Sequence, residues 1–191
     1  MNTLSIAFKE WAAVCHALAL GTQSLILRKG GIAETDGEFR PEHDLFFLYP
    51  TYFHEQQQKG LKPSAASFLE AADAERPPSG MLRVSHFVRV ERVFRSENLD
   101  AFHSLDRFHI WTPETVTQRF HYRSPGLYVL LVRTFALPTS IGIIEEPSYA
   151  GCKTWVPLTK PIAIDYANPV FNESAFQELA AAVTAAMSAS N

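Results

Sequence analysis

Residues 82–91 alternate between apolar and polar side chains, and no other feature of the chain constrains the fold as strongly. The apolar face is predicted to contain every second residue: Leu82, Val84, His86, Val88 and Val90. The residues between them are predicted to face solvent: Arg83, Ser85, Phe87, Arg89 and Glu91. A period of two is typical of a β-strand with one buried face. The chain is therefore predicted to contain a β-sheet in which this segment is one strand.

Further strands are predicted where apolar residues run together. Residues 127–137 form a long, nearly continuous apolar run, which is typical of the centre of a sheet. Shorter strands are predicted at residues 24–27, 45–49, 141–144 and 153–158. We expect the first two of these short strands to pair with each other as a hairpin.

Helices are predicted between the strands. Apolar residues recur at helical spacing from Leu4 to Leu18, which predicts a first helix over residues 4–20. Thr112, Pro113 and Glu114 combine a capping residue, a proline and an acid, which predicts that a helix begins there. Other helices are predicted at residues 64–75, at 98–105 and from Asn172 onwards. The predicted class is α+β, with a mixed, mostly antiparallel sheet flanked by helices.

The chain has 191 residues, which is the size of one ordinary domain. Hydrophobic residues make up 47% and charged residues 19%, a balance that favours a globular fold over disorder. The best candidate boundary is the short run at residues 76–80, which contains two prolines and a glycine. We therefore predict a single domain over residues 1–191, with subdomains at 1–76 and 81–191 that share one core.

Two cysteines, Cys15 and Cys152, lie far apart in the chain, and we expect both to be free thiols. The first ten residues include Lys9 and Glu10 and lack an uninterrupted apolar segment, so no signal peptide is predicted. No apolar stretch approaches the length that spans a membrane. These features predict a cytoplasmic protein that does not bind membranes.

Positive charge is concentrated in the middle of the chain, although the formal net charge is −3. Between Arg76 and Arg133 there are nine arginines, no lysine and five acidic residues. Guanidinium groups favour two-pronged contacts with phosphate or carboxylate groups. The segment therefore indicates either phosphate binding, or arginines that pair with nearby acids and lie along the sheet.

The sequence motifs of several enzyme classes are missing. The chain has no Gly-x-x-x-x-Gly-Lys-Ser/Thr phosphate loop, no Gly-x-Gly-x-x-Gly turn and no Gly-x-Ser-x-Gly elbow. It has no Cys-x-x-Cys pair, which excludes a zinc ribbon. It also lacks the Asp/Glu-x-Lys motif with which the core of metal-dependent restriction nucleases usually ends. We predict no cofactor and favour a protein without catalytic activity.

Histidines and acids flank the predicted strand at residues 45–49. They are His43, Asp44, His54 and Glu55. Imidazole and carboxylate groups can bind a divalent metal or supply a base that works near neutral pH. No two of these residues have a recognised ligand spacing, so they are only weak metal candidates, and the alternative is a solvated polar loop.

Arginine and aromatic residues on the strand at 82–91 and around the helix after Thr112 suggest a nucleic-acid interface. An exposed ring between two arginines can stack on a base while the guanidinium groups hold phosphates. The predicted interface contains seven residues: Arg83, Phe87, Arg89, Arg107, Trp111, Arg119 and Arg123. The alternative is that Phe87 and Trp111 pack in the core, as large aromatic residues usually do.

Five short blocks follow one another along the chain at residues 9–11, 27–32, 47–56, 130–133 and 151–155. They read KEW, LRKGGI, FLYPTYFHEQ, LLVR and GCKTW. Together they resemble an uncharacterised bacterial family, one of the domains of unknown function, over nearly the whole chain. Members of that family are sometimes joined to Mrr-type restriction-endonuclease domains, which implies a role beside DNA restriction or defence. The strand order of the second half, with Trp111, also resembles the PUA-like and EVE-like barrels that hold modified bases, which implies a partly closed barrel.

Three functions remain open from the sequence. The first is a nucleic-acid-binding accessory module that acts with DNA or RNA, with a restriction-type nuclease as its partner. The second is a protein-interaction or regulatory domain without catalysis. The third is a metal-assisted hydrolase or nuclease that uses His43, Asp44, His54 and Glu55. We favour the first of these.

Overall fold

The computed structural model describes residues 1–29, 42–52 and 54–189, with the backbone alone at 54–56. The α-helices are α1 (Ala12–Ala19), α2 (His54–Gly60), α3 (Ala66–Ala74), α4 (Leu99–His103), α5 (Pro113–His121) and α6 (Glu173–Ala189). The strands are β1 (Thr3–Trp11), β2 (Leu25–Arg28), β3 (Leu45–Thr51), β4 (Met81–Ser96), β5 (Leu127–Ile144), β6 (Trp155–Ala163) and β7 (Asn168–Pro169).

The strands form one sheet in the order β2-β5-β4-β3-β1-β6, with β7 paired to β5 outside this path. β1 and β3 run parallel, while β1 with β6, β2 with β5, β3 with β4 and β4 with β5 are antiparallel. The longest pairing joins β4 and β5 along almost their whole length. The structure therefore confirms the predicted α+β class with a mixed, mostly antiparallel sheet flanked by helices.

The first predicted helix is wrong in its first half. Residues 3–11 form β1, and the helix begins only at Ala12. The four-residue spacing of Leu4 and Phe8 fits one face of a regular strand as well as one face of a helix. In β1 itself a register shift between Leu4 and Ile6 places Leu4 and Phe8 on opposite faces of the sheet. Pairing of β1 with β3 on one side and β6 on the other decides between the two conformations, because it satisfies the backbone of β1 along both edges.

Most other predicted elements are confirmed, but two strand predictions are wrong. The strands predicted at residues 24–27 and 45–49 exist as β2 and β3, yet they do not form a hairpin. β2 pairs with β5, and β3 lies between β1 and β4. The segment at 141–144 is not a separate strand, because it continues β5. Local sequence specifies that these segments are extended, but not which strands they pair with.

Both faces of β3 are buried. Phe46 and Leu48 belong to a larger hydrophobic cluster that includes residues of five helices, whereas Phe47 and Tyr49 belong to a smaller cluster on the opposite face. Adjacent residues of a strand point to opposite faces, which explains why β3 reads as a continuous apolar run. The smaller cluster also contains Leu82, so it joins residues from both sides of the run at 76–80.

The predicted alternation along β4 fails at one point. The pairing register with β5 shifts between Val84 and His86, where one residue of β4 lies opposite residues 137–140 of β5. The regular alternation of side chains between the two faces of β4 is broken at this irregularity. Phe87 therefore packs in the same cluster as Val84 and is 5% exposed, while Val88 packs in the other. The expectation that Phe87 faces solvent is wrong for this reason.

Two helices begin as their capping residues predict. Oγ1 of Thr112 accepts a 3.1 Å hydrogen bond from the backbone N–H of Thr115, and Pro113 follows as the first residue of α5. Oδ1 of Asn172 accepts a 2.8 Å hydrogen bond from the N–H of Ala175 ahead of α6. Because the caps fix where these helices start, they also fix which residues face the sheet.

Cys15 and Cys152 are both free thiols, as predicted. Cys15 is buried and Cys152 is exposed. Among the residues that the structure describes, no helix has the length and apolar character needed to cross a membrane.

Candidate nucleic-acid interface

Buried charge is concentrated where β1, β2 and α5 meet. Glu10 on β1, Arg28 at the end of β2 and Arg119 on α5 form a group that we call the mouth cluster. The Glu10 side chain is 1% exposed, and its Oε2 lies 3.8 Å from Nη1 of Arg28. This separation makes an ion pair but is too long for a hydrogen bond. Two guanidinium groups against one carboxylate leave an excess of positive charge that little water screens.

Local packing fixes the Glu10 carboxylate but leaves one of its oxygens open. Oε1 accepts a 2.8 Å hydrogen bond from the N–H of Trp11, and the Glu10 carbonyl accepts one of 3.0 Å from Oγ1 of Thr51. Oε2 is buried and has no hydrogen-bond partner in the described part of the chain. A buried carboxylate oxygen without a donor costs free energy. The mouth cluster is therefore suited to a ligand that brings an N–H or O–H group.

Arg28 connects the two edges of the sheet. The residues before it in β2 are buried in the core, so the strand is anchored up to this position. Nη2 of Arg28 donates a 2.9 Å hydrogen bond to Oγ1 of Thr154, the residue ahead of β6. The guanidinium group also lies 5.0 Å from the ring centroid of Phe8. Since β2 and β6 are the two end strands of the sheet, this contact draws the edges together at the mouth cluster.

Arg119 lies between two indole rings. Its guanidinium carbon is 4.7 Å from the ring centroid of Trp11 and 5.1 Å from that of Trp111, and Nη1 donates a 3.3 Å hydrogen bond to the Leu27 carbonyl. Burial lowers the pKa of Arg119, while the negative charge of Glu10 acts in the opposite direction. A guanidinium group remains charged at neutral pH even so. Arg119 is therefore a positioned cation in the wall of the cluster.

A group of exposed and half-buried basic and aromatic residues continues outward from Arg28. We call it the basic rim, and it consists of Lys29, Arg95, Tyr122, Arg123 and Tyr128. Lys29, Arg95, Arg123 and Tyr128 line one small surface cavity. Tyr128 pairs with Arg28 in the β2–β5 ladder and with Arg95 in the β4–β5 ladder, so the rim and the mouth cluster are continuous.

Each rim cation is held by a specific contact. Nζ of Lys29 donates hydrogen bonds of 3.1 Å and 2.7 Å to the carbonyls of Phe120 and Gly126, and also bonds the Ser124 carbonyl. Arg95 makes a 2.7 Å ion pair with Glu97. Arg123 lies 5.2 Å from the ring centroid of Tyr122, a residue that is 54% exposed. Arg123 makes no ion pair with any described carboxylate, so its charge is available to a ligand.

The backbone of Arg123 is strained. Its φ is +64°, a left-handed conformation that side chains other than glycine rarely adopt. Such strain persists only where the surroundings hold the residue in place, and it is enriched at functional sites. The residue follows the C-cap of α5 at the point where the chain turns towards β5. The turn thus directs the guanidinium group of Arg123 over Tyr122.

The predicted interface residues are distributed over several places. Trp111, Arg119 and Arg123 lie at the mouth cluster and the basic rim, although Trp111 is fully buried and serves as a wall for Arg119. Arg83 is exposed on β4 beside a separate cavity. The structure therefore does not bring the predicted residues together on one face.

The other three predicted residues have local partners. Phe87 stacks on Phe135 with ring centroids 5.0 Å apart, which leaves no face of the strand for a base at this position. Arg89 makes a 2.6 Å ion pair with Glu91. Arg107 lies 4.6 Å from the ring of its neighbour Phe108. For Arg83, Arg89 and Arg107, contact with nucleic acid stays a prediction.

Sequence reasoning missed Glu10, Arg28, Lys29, Tyr122 and Tyr128 as site residues. The first three belong to the KEW and LRKGGI blocks that carried the family resemblance. Those blocks come from segments far apart in the chain, and β1 and β2 bring them to the same end of the sheet. The co-occurrence of charged residues in such blocks was the signal that could have identified them.

The weak metal candidates do not form a cluster in the described part of the chain. His43 packs edge-on against Trp155 with ring centroids 5.1 Å apart. The Asp44 carbonyl accepts a 2.7 Å hydrogen bond from the N–H of Val90. The side chains of His54 and Glu55 lie outside the described residues. Among the described residues, no three His, Cys, Asp or Glu side chains are placed to hold a metal ion.

Comparison with known proteins identifies a family but no function. A family model described as "Domain of unknown function (DUF1802)" matches residues 7–182. No curated protein matches the chain.

Solved structures of similar overall arrangement exist at low sequence identity. The crystal structure of ASCH from Zymomonas mobilis shares 10% identity, covers 92% of this chain and 93% of its own, and superimposes with a TM-score of 0.44. Two mutant forms of the same protein share 10% identity and have TM-scores of 0.47 and 0.46. They cover 92% of this chain and 96% and 94% of their own chains.

Proposed function

We propose that this chain, which belongs to the family described as domain of unknown function DUF1802, binds single-stranded nucleic acid along the basic rim and holds one nucleotide at the mouth cluster. The observation that carries the proposal is the continuity of the two groups. Lys29 extends directly from Arg28, and the cations of the rim surround one cavity with Tyr128. Phosphates would contact the rim, because cations provide most of the affinity for nucleic acid.

The aromatic residues of the rim favour single strands over duplexes. Tyr122 is exposed and Tyr128 is half-buried, and both lie beside a guanidinium group. Rings of this kind stack on unpaired bases, whereas the bases of a duplex are already stacked on each other. A base that stacks on Tyr122 would place its phosphate next to Arg123.

The mouth cluster adds a place where a base or its phosphate can be held. Glu10 Oε2 is an acceptor without a donor in the described part of the chain. The exocyclic amine of cytosine is a donor that carboxylates accept from in nucleic-acid complexes. Arg28 lies 3.8 Å from the same oxygen and would donate to an adjacent carbonyl or phosphate oxygen. The proposed role is that of an accessory module without chemistry of its own, with a restriction-type nuclease as its partner.

Fluorescence anisotropy with labelled oligonucleotides tests the proposal. Single-stranded DNA, single-stranded RNA and a DNA duplex of the same sequence are titrated with the protein at 50 and 200 mM salt. If the three rim cations each neutralise a phosphate, single-strand affinity is expected to fall by about twentyfold between the two salt concentrations. The proposal fails if no oligonucleotide binds at the lower salt concentration.

Variants locate the interface. Arg123→Ala is expected to weaken single-strand binding and to reduce the dependence of log Kd on log salt by about 0.7, the contribution of one phosphate contact. Lys160→Ala removes an exposed cation from β6, at the other edge of the sheet, and is expected to leave both quantities unchanged. Equal effects of the two substitutions would show that binding depends on overall charge and not on the rim.

A further inference from the structure

A second cavity, separate from the mouth cluster and the rim, lies between α1, α3, β3 and β4. Its volume is about 240 Å³. Part of its wall is apolar, with Ala12 on α1 and Leu48 on β3. The rest carries groups that bind ligands elsewhere in proteins: His16, Tyr52, Glu75, Arg83, Ser85 and His86. An apolar enclosure with a few convergent polar groups is the usual composition of a small-molecule site.

The polar part of this wall includes two adjacent residues of β4, Ser85 and His86. In a regular strand Ser85 and His86 would point to opposite faces of the sheet. The pairing register with β5 shifts at this point, where Ser85 alone lies opposite residues 137–140 of β5, and both Ser85 and His86 line the same cavity. Irregularities of a β-ladder redirect side chains next to binding sites.

Ser85 and His86 form a hydrogen-bonded pair with one open position. Oγ of Ser85 lies 2.9 Å from Nδ1 of His86. In the described part of the chain, Nε2 of His86 has no hydrogen-bond partner and is free to bond a ligand. Burial lowers the pKa of His86, and the nearby charges of Glu75 and His16 act on it in opposite directions. The ring is therefore neutral at pH 7 and contributes a hydrogen bond rather than a charge.

The electrostatic character of the cavity comes from Arg83. This side chain is exposed on β4 and makes no ion pair with any carboxylate that the structure describes. Glu75, at the C-terminal end of α3, lines the same cavity and opposes the approach of a doubly charged anion. Arg83 can therefore hold one carboxylate, while Glu75 disfavours a second negative charge on the ligand.

We propose that this cavity binds a small organic monocarboxylate. The carboxylate contacts the fork of the Arg83 guanidinium, which matches its planar geometry. A polar group of the ligand bonds Nε2 of His86, and the carbon skeleton packs against Leu48 and Ala12. The proposal is independent of nucleic-acid binding, since none of these residues belongs to the rim or the mouth cluster.

The experiment compares each carboxylate probe with a neutral probe of the same carbon skeleton. Benzoate, phenylacetate and butyrate are compared with their neutral amides and with phenyl phosphate by ligand-detected NMR on the full chain. The carboxylates are expected to bind about tenfold or more tightly than the amides, because the bond to Arg83 is charge-assisted. Binding of phenyl phosphate is expected to be weaker than binding of benzoate.

Two variants make the result specific to the cavity. Arg83→Gln is expected to remove the preference for carboxylate over amide without changing the melting temperature, because Arg83 is exposed. Ser85→Ala is expected to keep that preference and to change only the shift of the His86 ring resonances on binding. Equal binding of carboxylates and amides to the unmodified protein, or an unchanged preference in Arg83→Gln, would overturn the proposal.

Discussion

Arg28 and Thr154 join the two end strands of the sheet through a hydrogen bond of 2.9 Å. Arg28 ends β2 and Thr154 precedes β6, and these strands lie at opposite ends of the strand order, with no backbone pairing between them in the described part of the chain. The contact holds the sheet in a curled shape around the aromatic group formed by Phe8, Phe46 and Trp155, whose ring centroids are 4.8 to 5.0 Å apart. Closure of the sheet at this end therefore depends on a side chain and not on the backbone.

Thr154→Val tests this closure. The substitution keeps the shape of a buried residue but removes the acceptor of the Arg28 guanidinium. A charge-assisted hydrogen bond is lost, so the free energy of unfolding is expected to fall by about 1 to 2 kcal/mol in urea denaturation. Thr139→Val, at an exposed residue of β5, is the control and is expected to change stability by less than about 0.5 kcal/mol. Equal effects would mean that the contact does not stabilise the fold.

The position of Arg119 between two indole rings requires a planar cation. Arg119→Lys keeps the charge but cannot stack on Trp11 and Trp111 or donate in the same plane. We expect the free energy of unfolding to fall by about 2 kcal/mol, the range of a desolvated cation–π contact. Arg123→Lys, at an exposed arginine, is expected to have little effect. Circular dichroism during thermal unfolding measures both, and a stable Arg119→Lys variant would contradict the proposed stacking.

Arg123 and Tyr166 share a φ of +64°, and this allows a paired test of the rim. Glycine relieves the strain of the left-handed conformation, which is worth about 1 to 2 kcal/mol, but it loses about 0.5 to 1 kcal/mol more conformational entropy on folding. The strain term is larger, so each substitution to glycine is expected to raise the free energy of unfolding by roughly 0.5 to 1 kcal/mol. Arg123→Gly also removes a rim cation and is expected to weaken single-strand binding. Tyr166→Gly removes a ring that is 90% exposed outside the rim, so binding should be unchanged. Loss of binding in both variants would contradict the assignment of the rim.

Helices and strands could be predicted from the sequence where a local pattern favoured one of the two conformations and no other pattern favoured the other. The cap formed by Thr112 and Pro113 predicts the start of α5 to the residue, because capping is a local interaction. β1 could not be predicted in this way, since Leu4 and Phe8 fit both periods and only pairing with β3 and β6 selects a strand. The register shift at Ser85 was equally inaccessible, because it depends on the pairing with β5, which carries three more residues than β4 at this point.

The candidate site was predicted only in part. Arg119 and Arg123 were chosen because arginines cluster in the middle of the chain. The structure places Arg119 beside Glu10, and Arg123 beside Lys29, two residues from the first thirty positions of the chain. No sequence pattern indicates that residues more than ninety positions apart share one end of a sheet. Arg89 was assigned to the same interface, yet Glu91 lies on the same side of β4 two residues later and pairs with it.

His109 is a buried titratable residue close to the mouth cluster. Its ring lies 5.4 Å from that of Trp111, and it is 5% exposed. Burial, together with the positive charge of Lys62, lowers the pKa of His109 to about 4. The Lys62 ammonium is fixed nearby, because it donates a 3.0 Å hydrogen bond to the His109 carbonyl and pairs with Asp106 at 3.0 Å. The folded protein therefore binds a proton at His109 much less readily than the unfolded chain does.

The sign of the resulting pH dependence follows from this difference. Above about pH 6.5 His109 is mostly neutral in both the folded and the unfolded state, so it hardly changes the free energy of unfolding. Between about pH 6.5 and pH 4 the residue is protonated mainly in the unfolded chain, which stabilises the unfolded state. Stability is therefore expected to fall by about 2 kcal/mol between pH 7 and pH 5 on account of this residue. Urea denaturation at the two pH values measures the loss, and His109→Gln is expected to reduce it by that amount whatever its stability at pH 7. An identical loss in both proteins would show that His109 ionises freely, and hence that water reaches the ring beside Trp111.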